Sequence, residues 1–239
     1  SQYDSLDEIT VILKSYEDFN LQQYKPSTVH RRIARRMSLI GAETYQTYLQ
    51  KLRDDRVERK QLTKDLLINV TDFFRDREAF DIISSKVLPN IFNDIERGED
   101  VRVWVPGCAS GEEAYTLGIL LLEARYKARK ENDIKIFATD IDVSAIKKAR
   151  MGIYPQSIAG EVPKEYLEKY FTVRKNHDGY QIANHIRDLI SFASHNISSD
   201  PPFSNMHLIS CRNLLIYLRR EVQEKVMSSF YFALRPDSF

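Results

Sequence analysis

Hydrophobic and polar residues follow two different periods along the chain. In the first part, Val29, Ile33, Met37 and Ile40 recur at intervals of three or four, and arginines occupy much of the remaining arc. This spacing is typical of one buried face of a helix. It predicts a helix that begins at about residue 27 and ends at Gly41.

The same period predicts further helices on both sides of that one. Ser5 stands three residues before Glu8 and ahead of an apolar run, which is the pattern of a capping box. Residues 42–52 and 59–69 have helical spacing as well, and a longer helix is predicted over residues 77–97. The first part of the chain is therefore predicted to be a small helical domain.

After Gly98 the pattern becomes an alternation of short apolar runs and helical stretches. The strand-like runs are VRVWVPG, IKIFATDID, DLISFASHN and MHLISCRN, and the helical stretches are residues 112–130, 144–151 and 219–234. Such alternation predicts a parallel, doubly wound sheet. Within it, two short β-prone pieces flank Asp178-Gly179, a strong hairpin turn, and they indicate a small antiparallel insert.

Composition and charge narrow the functional classes. The net charge of +1 gives the whole chain no strong field for nucleic acid, so no nucleic-acid partner is expected. There is no apolar run of the roughly 20 residues that span a bilayer, so we expect a cytoplasmic protein without membrane insertion. The two cysteines show no zinc-site spacing, and no metal site is predicted. Residues 24–53, however, carry seven cations and one acid, which predicts an acidic partner.

The turn after the first strand, PGCASGEE, is the first candidate for ligand binding. Gly107 and Gly111 allow a tight turn from strand to helix, but their spacing differs from the dinucleotide fingerprint. Glu112 and Glu113 would repel a pyrophosphate at this helix N-terminus, whereas they suit the sulfonium and α-ammonium of S-adenosylmethionine. A simpler explanation, that both glutamates only complement the helix dipole, stays open.

Other strand ends supply further candidates, because ligands of open α/β sheets bind outside the carboxyl ends of the strands. Asp140 can accept hydrogen bonds from ribose hydroxyls, which NAD and S-adenosylmethionine share, while Asp142 is better explained as a helix N-cap. Asn196 offers a donor and an acceptor to an adenine edge. Arg212 and Asn213 end the last strand-like run and offer polar groups beside the same cleft.

The stretch INVTDFFRD precedes the long helix. Its two phenylalanines are core candidates, while Asn69, Thr71 and Arg75 alternate along a polar turn that a ligand carboxylate could use. Tyr217, by spacing alone, is best explained as a core residue.

Taken together, these stretches resemble the chemotaxis-receptor glutamate methyltransferases, the CheR family. The resemblance is carried by INVTDFFRD, VWVPGCASGEEAYTLGILL, FATDIDVSAIKKARMGIYP, SFASHNI, ISCRNLLIYL and the YKPSTVHRRIARRM helix. It implies an N-terminal helical receptor-recognition domain, residues 1–75, and a Rossmann-like S-adenosylmethionine-dependent methyltransferase domain, residues 76–239, with a β insert at about 155–188. The amino-acid sequence, particularly YKPSTVHRRIARRM, is most similar to methyltransferases that are fused to a methylesterase domain.

The resemblance also implies an activity and a set of site residues. The activity is methyl transfer from S-adenosylmethionine to glutamate side chains of chemotaxis receptors, leaving S-adenosylhomocysteine. The implied cofactor residues are Asn69, Thr71, Arg75, Gly107, Glu112, Glu113, Asp140, Asn196, Ile197, Arg212 and Asn213. By the same resemblance, Tyr217 lies near the transferred methyl, and the arginines of the basic helix meet the receptor's acidic helix: Arg31, Arg32, Arg35 and Arg36. Our own hypothesis is that the catalytic residues are Tyr217 and Arg212, which position the carboxylate or the cofactor.

Two departures from the family and three alternatives accompany this interpretation. The insert has only the short KNHDG turn where receptor-tethering members carry a longer loop, and the chain stops at LRPDSF, where the family continues into the last strands of its sheet. The first alternative is a non-catalytic module that binds the cofactor or the receptor. A nicotinamide-dependent dehydrogenase and a nucleic-acid methyltransferase are the others, and the paired glutamates and near-neutral charge count against them.

Overall fold

The computed structural model describes residues 2–67, 70–175 and 178–239. The chain divides into two compact units. The first comprises Ser1–Ile68 and Asn213–Glu224, and the second comprises Asn69–Arg212 and Lys225–Phe239. None of the helices in the described ranges combines the length and apolar composition that a bilayer crossing requires.

The first unit is built from four helices and two short 3₁₀ turns. The helices are α1 (Gln2–Glu17), α2 (Pro26–Ile40), α3 (Tyr45–Asp54) and α4 (Arg56–Leu66), and the 3₁₀ turns are Leu21–Gln23 and Leu215–Tyr217. Their apolar faces form one core that includes Ile9, Leu13, Ile33, Leu49 and Leu62. The helical period read along residues 29–40 is thereby confirmed.

Local capping explains where these helices begin and end. Gly41 ends α2 in the left-handed region, at φ 71°, where its N–H bonds back to the last turn. Thr44 and Asp55 cap α3 and α4 with their side-chain oxygens, so these helices begin later and earlier than predicted, respectively. The capping box at Ser5 is wrong, because α1 already begins at Gln2.

A buried ion pair joins three helices of the first unit. Both carboxylate oxygens of Glu58 accept from Arg36, at 3.0 Å from Nε and 2.5 Å from Nη2, and Oε1 also accepts from the Tyr48 hydroxyl at 2.9 Å. The side chains of Arg36 and Glu58 are 13% and 5% exposed. Burial, followed by the hydrogen bond to Glu58, raises the pKa of Tyr48 far above its ordinary value. Arg36 is therefore part of the packing of this unit.

The segment Asn213–Glu224 is attached to the first unit through the turn before α2. The backbone N–H of Lys25 donates to the carbonyl of Tyr217 at 2.9 Å, and that of Arg219 donates to the carbonyl of Gln23 at 2.9 Å. Tyr24 and Leu218 form an antiparallel bridge. Tyr217 is thus held against the first residues of the arginine-rich helix.

The second unit contains a four-stranded parallel sheet in the order β6-β2-β1-β7. The strands are β1 (Val101–Pro106), β2 (Ile134–Asp140), β6 (Ile190–Ser194) and β7 (Leu208–Ile209). The chain winds from β1 to β2 to β6 in one direction and then returns to place β7 on the other side of β1. The fold class predicted from sequence is confirmed, and this order puts the topological switch point between β1 and β7.

Seven further helices follow along the described chain after the first unit's four. They are α5 (Arg77–Ile82), α6 (Leu88–Asp94), α7 (Glu112–Lys127), α8 (Val143–Met151), α9 (Lys164–Tyr170), α10 (Asn184–Arg187) and α11 (Arg220–Ala233). A π-helical turn, Ile83–Val87, joins α5 to α6, so the predicted helix over 77–97 is realised with a wider turn inside it. The Asp142 side chain accepts from the N–H groups of Ser144 and Ala145, which confirms it as the N-cap of α8.

The β insert extends from β3 to α10 as a small antiparallel sheet. Its strands, β3 (Ile153–Tyr154), β4 (Phe171–Val173) and β5 (Tyr180–Ile182), have the order β3-β5-β4. Gly179 has φ 145°, and a Cβ there would lie 2.1 Å from the carbonyl oxygen of Tyr154. The predicted hairpin turn at Asp178-Gly179 therefore needs its glycine.

Candidate functional site

The loop between β1 and α7, residues 107–111, is the first part of the candidate site. Gly107, Ala109 and Gly111 all have positive φ, at 70°, 46° and 98°. A Cβ on Gly111 would lie 2.9 Å from the Cβ of Ala149, so the close approach of the loop to α8 requires glycine. Left-handed backbone at an alanine is strained, and such strain is concentrated at functional sites.

Asp140 ends β2 and holds this loop in place. One carboxylate oxygen accepts from the N–H of Ala109 at 2.8 Å, and the other accepts from the N–H of Asp142 at 2.8 Å. Burial raises the pKa of Asp140, and the hydrogen bonds to its ionised form oppose that rise. The backbone N–H of Ile141 is a third donor to this carboxylate, which has four lone pairs in all, so at least one lone pair remains for a ribose hydroxyl.

Glu112, in the first turn of α7, is a buried carboxylate that lacks a cationic partner in the described part of the chain. Glu112 is 9% exposed, and the Ser110 hydroxyl lies 2.9 Å from both oxygens of its carboxylate. Burial is the largest of the effects that raise its pKa to about 7, and the charges of Glu161 and Asp72 add to the rise. A positively charged ligand would favour the ionised form of this group.

Glu113 bridges the switch point between β1 and β7. Ser210, directly after β7, donates its hydroxyl to the carboxylate at 2.5 Å. Burial raises the pKa of Glu113, while the charges of Arg212 and Arg75 lower it. The site therefore contains arginine charge beside carboxylate charge.

The 70–76 loop carries both Arg75 and the contact with Arg212. Arg212 donates from Nη2 to the carbonyl of Arg75 and to the Asp76 carboxylate, both at 2.7 Å, and its guanidinium lies 4.6 Å from the centroid of the Phe80 ring. Thr71 is partly buried in the same loop. Asn69 lies outside the described residues. Arg212 thus holds the loop that presents Arg75.

The loop after β6 carries Asn196 and Ile197, both partly buried. The side-chain oxygen of Asn196 accepts from the N–H and hydroxyl of Ser198, at 3.1 and 2.7 Å, and its backbone N–H donates to Asp200 at 2.8 Å. Two hydrogen bonds use both lone pairs of that oxygen. The side chain is left with its amide N–H groups for an adenine edge, so the predicted acceptor role does not fit the structure.

The second unit brings together most of the predicted cofactor residues, on the loops at the carboxyl ends of its parallel strands and on the 70–76 loop. They are Thr71, Arg75, Gly107, Glu112, Glu113, Asp140, Asn196, Ile197 and Arg212. Asn213 and Tyr217 belong to the first unit, which the sequence pattern did not reveal.

The four arginines predicted to meet a partner differ in their surroundings. Arg31 and Arg35 are exposed on α2, and Arg32 is partly exposed. Arg36 is engaged by Glu58, so its assignment to a partner surface is corrected to a packing role.

Sequence reasoning missed several residues that shape the site. Ser110 and Ser210 donate hydroxyls to Glu112 and Glu113, and Glu161 of the insert accepts from the N–H of Phe73 at 3.0 Å. The position of Ser210 directly after a strand was a usable signal. Glu161 had none, because its contact joins residues 88 positions apart.

These residues fit a ligand with separate positive and negative groups. Glu112 and Asp140 are buried carboxylates, Glu113 is a partly buried one, and burial raises the pKa of all three. A cationic ligand favours the ionised form of such groups, and the charges of two arginines, Arg75 and Arg212, act on Glu113. A pyrophosphate would meet the carboxylates at the start of α7. S-adenosylmethionine, with its sulfonium, α-ammonium and carboxylate, matches this set of groups.

Comparison with family models covers nearly the whole chain. Residues 69–239 match the model described as "CheR methyltransferase, SAM binding domain". Residues 4–67 match "CheR methyltransferase, all-alpha domain".

Individual relatives also align with most of this chain. A Rhodobacter capsulatus protein described as "Uncharacterized 104.1 kDa protein in hypE 3'region" is 41% identical over 99% of this chain, which spans 25% of that protein. The "Chemotaxis protein methyltransferase" of Borreliella burgdorferi is 30% identical over 98% of this chain and 85% of its own length. The "Chemotaxis protein methyltransferase 2" of Vibrio cholerae is 32% identical, over 87% and 73%.

Proposed function

This chain belongs to the CheR methyltransferase family, and from that premise we propose that it transfers a methyl group from S-adenosylmethionine to glutamate carboxylates of chemotaxis receptors. The observation that carries the proposal is a group of three carboxylates, two buried and one partly buried, beside two arginines at the carboxyl end of the parallel sheet. The relatives named chemotaxis protein methyltransferases support the reaction class.

When bound, S-adenosylmethionine supplies a methyl group on a positively charged sulfur, which leaves as neutral S-adenosylhomocysteine. We assign the contacts with its ribose hydroxyls to Asp140, with its cationic groups to Glu112 and Glu113, and with its carboxylate to Arg75. Arg212 positions Arg75 rather than touching the reacting atoms, because its guanidinium already donates to the 75–76 backbone and side chain.

The accepting glutamate needs no general base. An exposed glutamate has a pKa of about 4.3, so its carboxylate is already ionised at neutral pH. The chain's residues have to hold that carboxylate in line with the methyl carbon and to exclude water from it. We propose that Tyr217 does the positioning with its hydroxyl.

Recognition of the receptor is assigned to α2. Arg31, Arg32 and Arg35 present positive charge along this helix, and an acidic helical segment is the complementary partner. Tyr217 is hydrogen-bonded through its carbonyl to Lys25, at the start of the same helix. Substrate recognition and substrate positioning would therefore reside in one unit.

Two further parts of the proposal concern the cellular setting. Receptor methylation sites on cytoplasmic helices require the enzyme to work in the cytoplasm. A methylesterase, fused or separate, would reverse the modification and is the proposed functional partner.

Isothermal titration of the purified chain with S-adenosylmethionine, S-adenosylhomocysteine and NAD tests the cofactor, and base-labile methyl esters on receptor fragments test the transfer. We expect binding of the first two ligands, no binding of NAD, and ester formation. A chain that binds both adenosyl ligands but forms no ester is the non-catalytic module. A folded chain that binds neither refutes the cofactor site.

A further inference from the structure

The β insert contacts the 70–76 loop through Glu161. One carboxylate oxygen of Glu161 accepts from the backbone N–H of Phe73 at 3.0 Å, and the backbone carbonyl of Glu161 accepts from Arg77 at 3.2 Å. The Phe73 ring packs edge-to-face on Tyr154 and Phe171 of the insert, with centroids 4.8 and 5.5 Å apart. The insert therefore contacts the middle of this loop through one hydrogen bond and two aromatic contacts at Phe73.

The insert also reaches the loop between β1 and α7. The Tyr154 hydroxyl donates to the carbonyl of Ser110 at 2.7 Å, one residue before Gly111. Phe74, next to Phe73, donates its N–H to the Thr116 hydroxyl of α7 at 3.2 Å. Both loops of the candidate site thus contact the insert, and the 70–76 loop is also hydrogen-bonded to α7.

Glu161 also acts on Glu112 through its charge. Together with Asp72 of the 70–76 loop it raises the pKa of Glu112, after the larger effect of burial. Other titratable groups that interact with Glu112 come from the β1–α7 loop, from α7 and from β3: Cys108, Tyr115 and Tyr154. Glu161 is therefore both a hydrogen-bond acceptor for the loop and part of the electrostatic environment of the site.

We propose that Glu161 is a positioning residue through which the insert fixes the 70–76 loop, with Thr71 and Arg75, at the cofactor site. This inference rests on the proposed function, since the site it serves is the S-adenosylmethionine site. It gives the insert a role in cofactor binding that does not depend on capturing a receptor.

The test compares Glu161→Ala with Glu161→Gln in the 239-residue chain. The probe is S-adenosylhomocysteine, titrated calorimetrically from pH 6 to pH 8, and hydrogen exchange of the Phe73 amide is followed by NMR. Glu161→Ala removes a charged acceptor, so we expect the Kd to rise about tenfold and the Phe73 amide to exchange faster.

Glu161→Gln separates the two effects. The amide oxygen still accepts from Phe73, so slow exchange and most of the affinity should return. The negative charge is gone, so the pKa of Glu112 falls and the pH midpoint of binding moves to lower pH.

Glu165→Ala, an exposed glutamate at the start of α9, is the matched control and should behave as the wild type. The inference is overturned when Glu161→Ala matches this control in affinity and Phe73 exchange. It is equally overturned when Glu161→Ala only lowers Tm, with binding and its pH midpoint unchanged. Failure of the wild type itself to bind S-adenosylhomocysteine refutes the proposed function instead.

Discussion

Glu112 makes cofactor affinity depend on pH in the neutral range. Its pKa is raised to about 7, chiefly by burial, so it is largely protonated at pH 6 and largely ionised at pH 8. A cationic ligand binds the ionised form. The ionised fraction rises from about one tenth at pH 6 to about nine tenths at pH 8. With a tenfold preference of the ligand for the ionised form, equivalent to one pKa unit, the affinity of the wild type is expected to rise about fivefold over this range.

Glu112→Gln isolates this contribution, because the amide resembles the protonated acid in size and charge. At pH 6 the variant and the wild type should bind S-adenosylhomocysteine with nearly equal affinity, and at pH 8 the wild type should bind about tenfold more tightly. The ligand's own amino group titrates identically in both experiments, so the ratio of the two Kd values reports Glu112 alone.

Calorimetric titration in two buffers of different ionisation enthalpy gives an independent measure. At pH 7 the wild type should release about half a proton more than Glu112→Gln on binding, because about half of its Glu112 side chains are protonated before the ligand arrives. Glu165→Gln, which changes an exposed glutamate, should follow the wild type in both measurements. Parallel pH curves for wild type and Glu112→Gln would refute the reasoning.

Four further outcomes are expected. Arg36→Met leaves Glu58 buried without its cation and should lower the free energy of unfolding by about 3–5 kcal/mol in urea titrations. Arg35→Met, which changes an exposed arginine, should stay within about 0.5 kcal/mol of wild type. Equal effects of the two substitutions would contradict the packing role of Arg36. Gly111→Ala places a Cβ in a contact too close to keep, so we expect a lower Tm and weaker binding of S-adenosylhomocysteine, and an unchanged Tm and Kd would contradict this. Tyr217→Phe should lower kcat for receptor methylation with no change in cofactor Kd, and an unchanged kcat would remove its assigned role. Arg31→Glu should raise KM for the receptor while leaving cofactor Kd as it is, and an unchanged KM would contradict recognition by α2.

Much of the second unit follows from local sequence. Buried parallel strands produce continuous apolar runs, and the residues that end them fall at one edge of the sheet, so Asp140 and the glutamates of α7 could be found without coordinates. The presence of the helices was predictable as well, because their apolar residues recur at intervals of three or four. Helix ends were less so, because Thr44 and Asp55 act as caps only when the residues around them allow it.

The features that escaped prediction depend on distant parts of the chain. In the sequence alone, Arg36 resembles the other surface arginines of α2. Its partner Glu58 lies 22 positions later in the chain and reaches it only through the packing of α4. The attachment of Leu218 to Tyr24 joins residues separated by most of the sequence and leaves no periodic trace. The prediction at Ser5 failed for the opposite reason. The local capping-box pattern is present in the sequence, but α1 begins three residues earlier, so Ser5 lies inside the helix.

The attachment of Asn213–Glu224 to the first unit has a consequence for exchanging parts between family members. A chimera joined at residue 68 would replace residues 23–25 with foreign ones. It would keep the native residues 217–219 that pair with them. The module that should be transplanted is discontinuous in sequence: the N-terminal helices together with the twelve-residue stretch that contains Tyr217. A swap of the N-terminal helices alone would test compatibility at that backbone pairing as much as receptor choice.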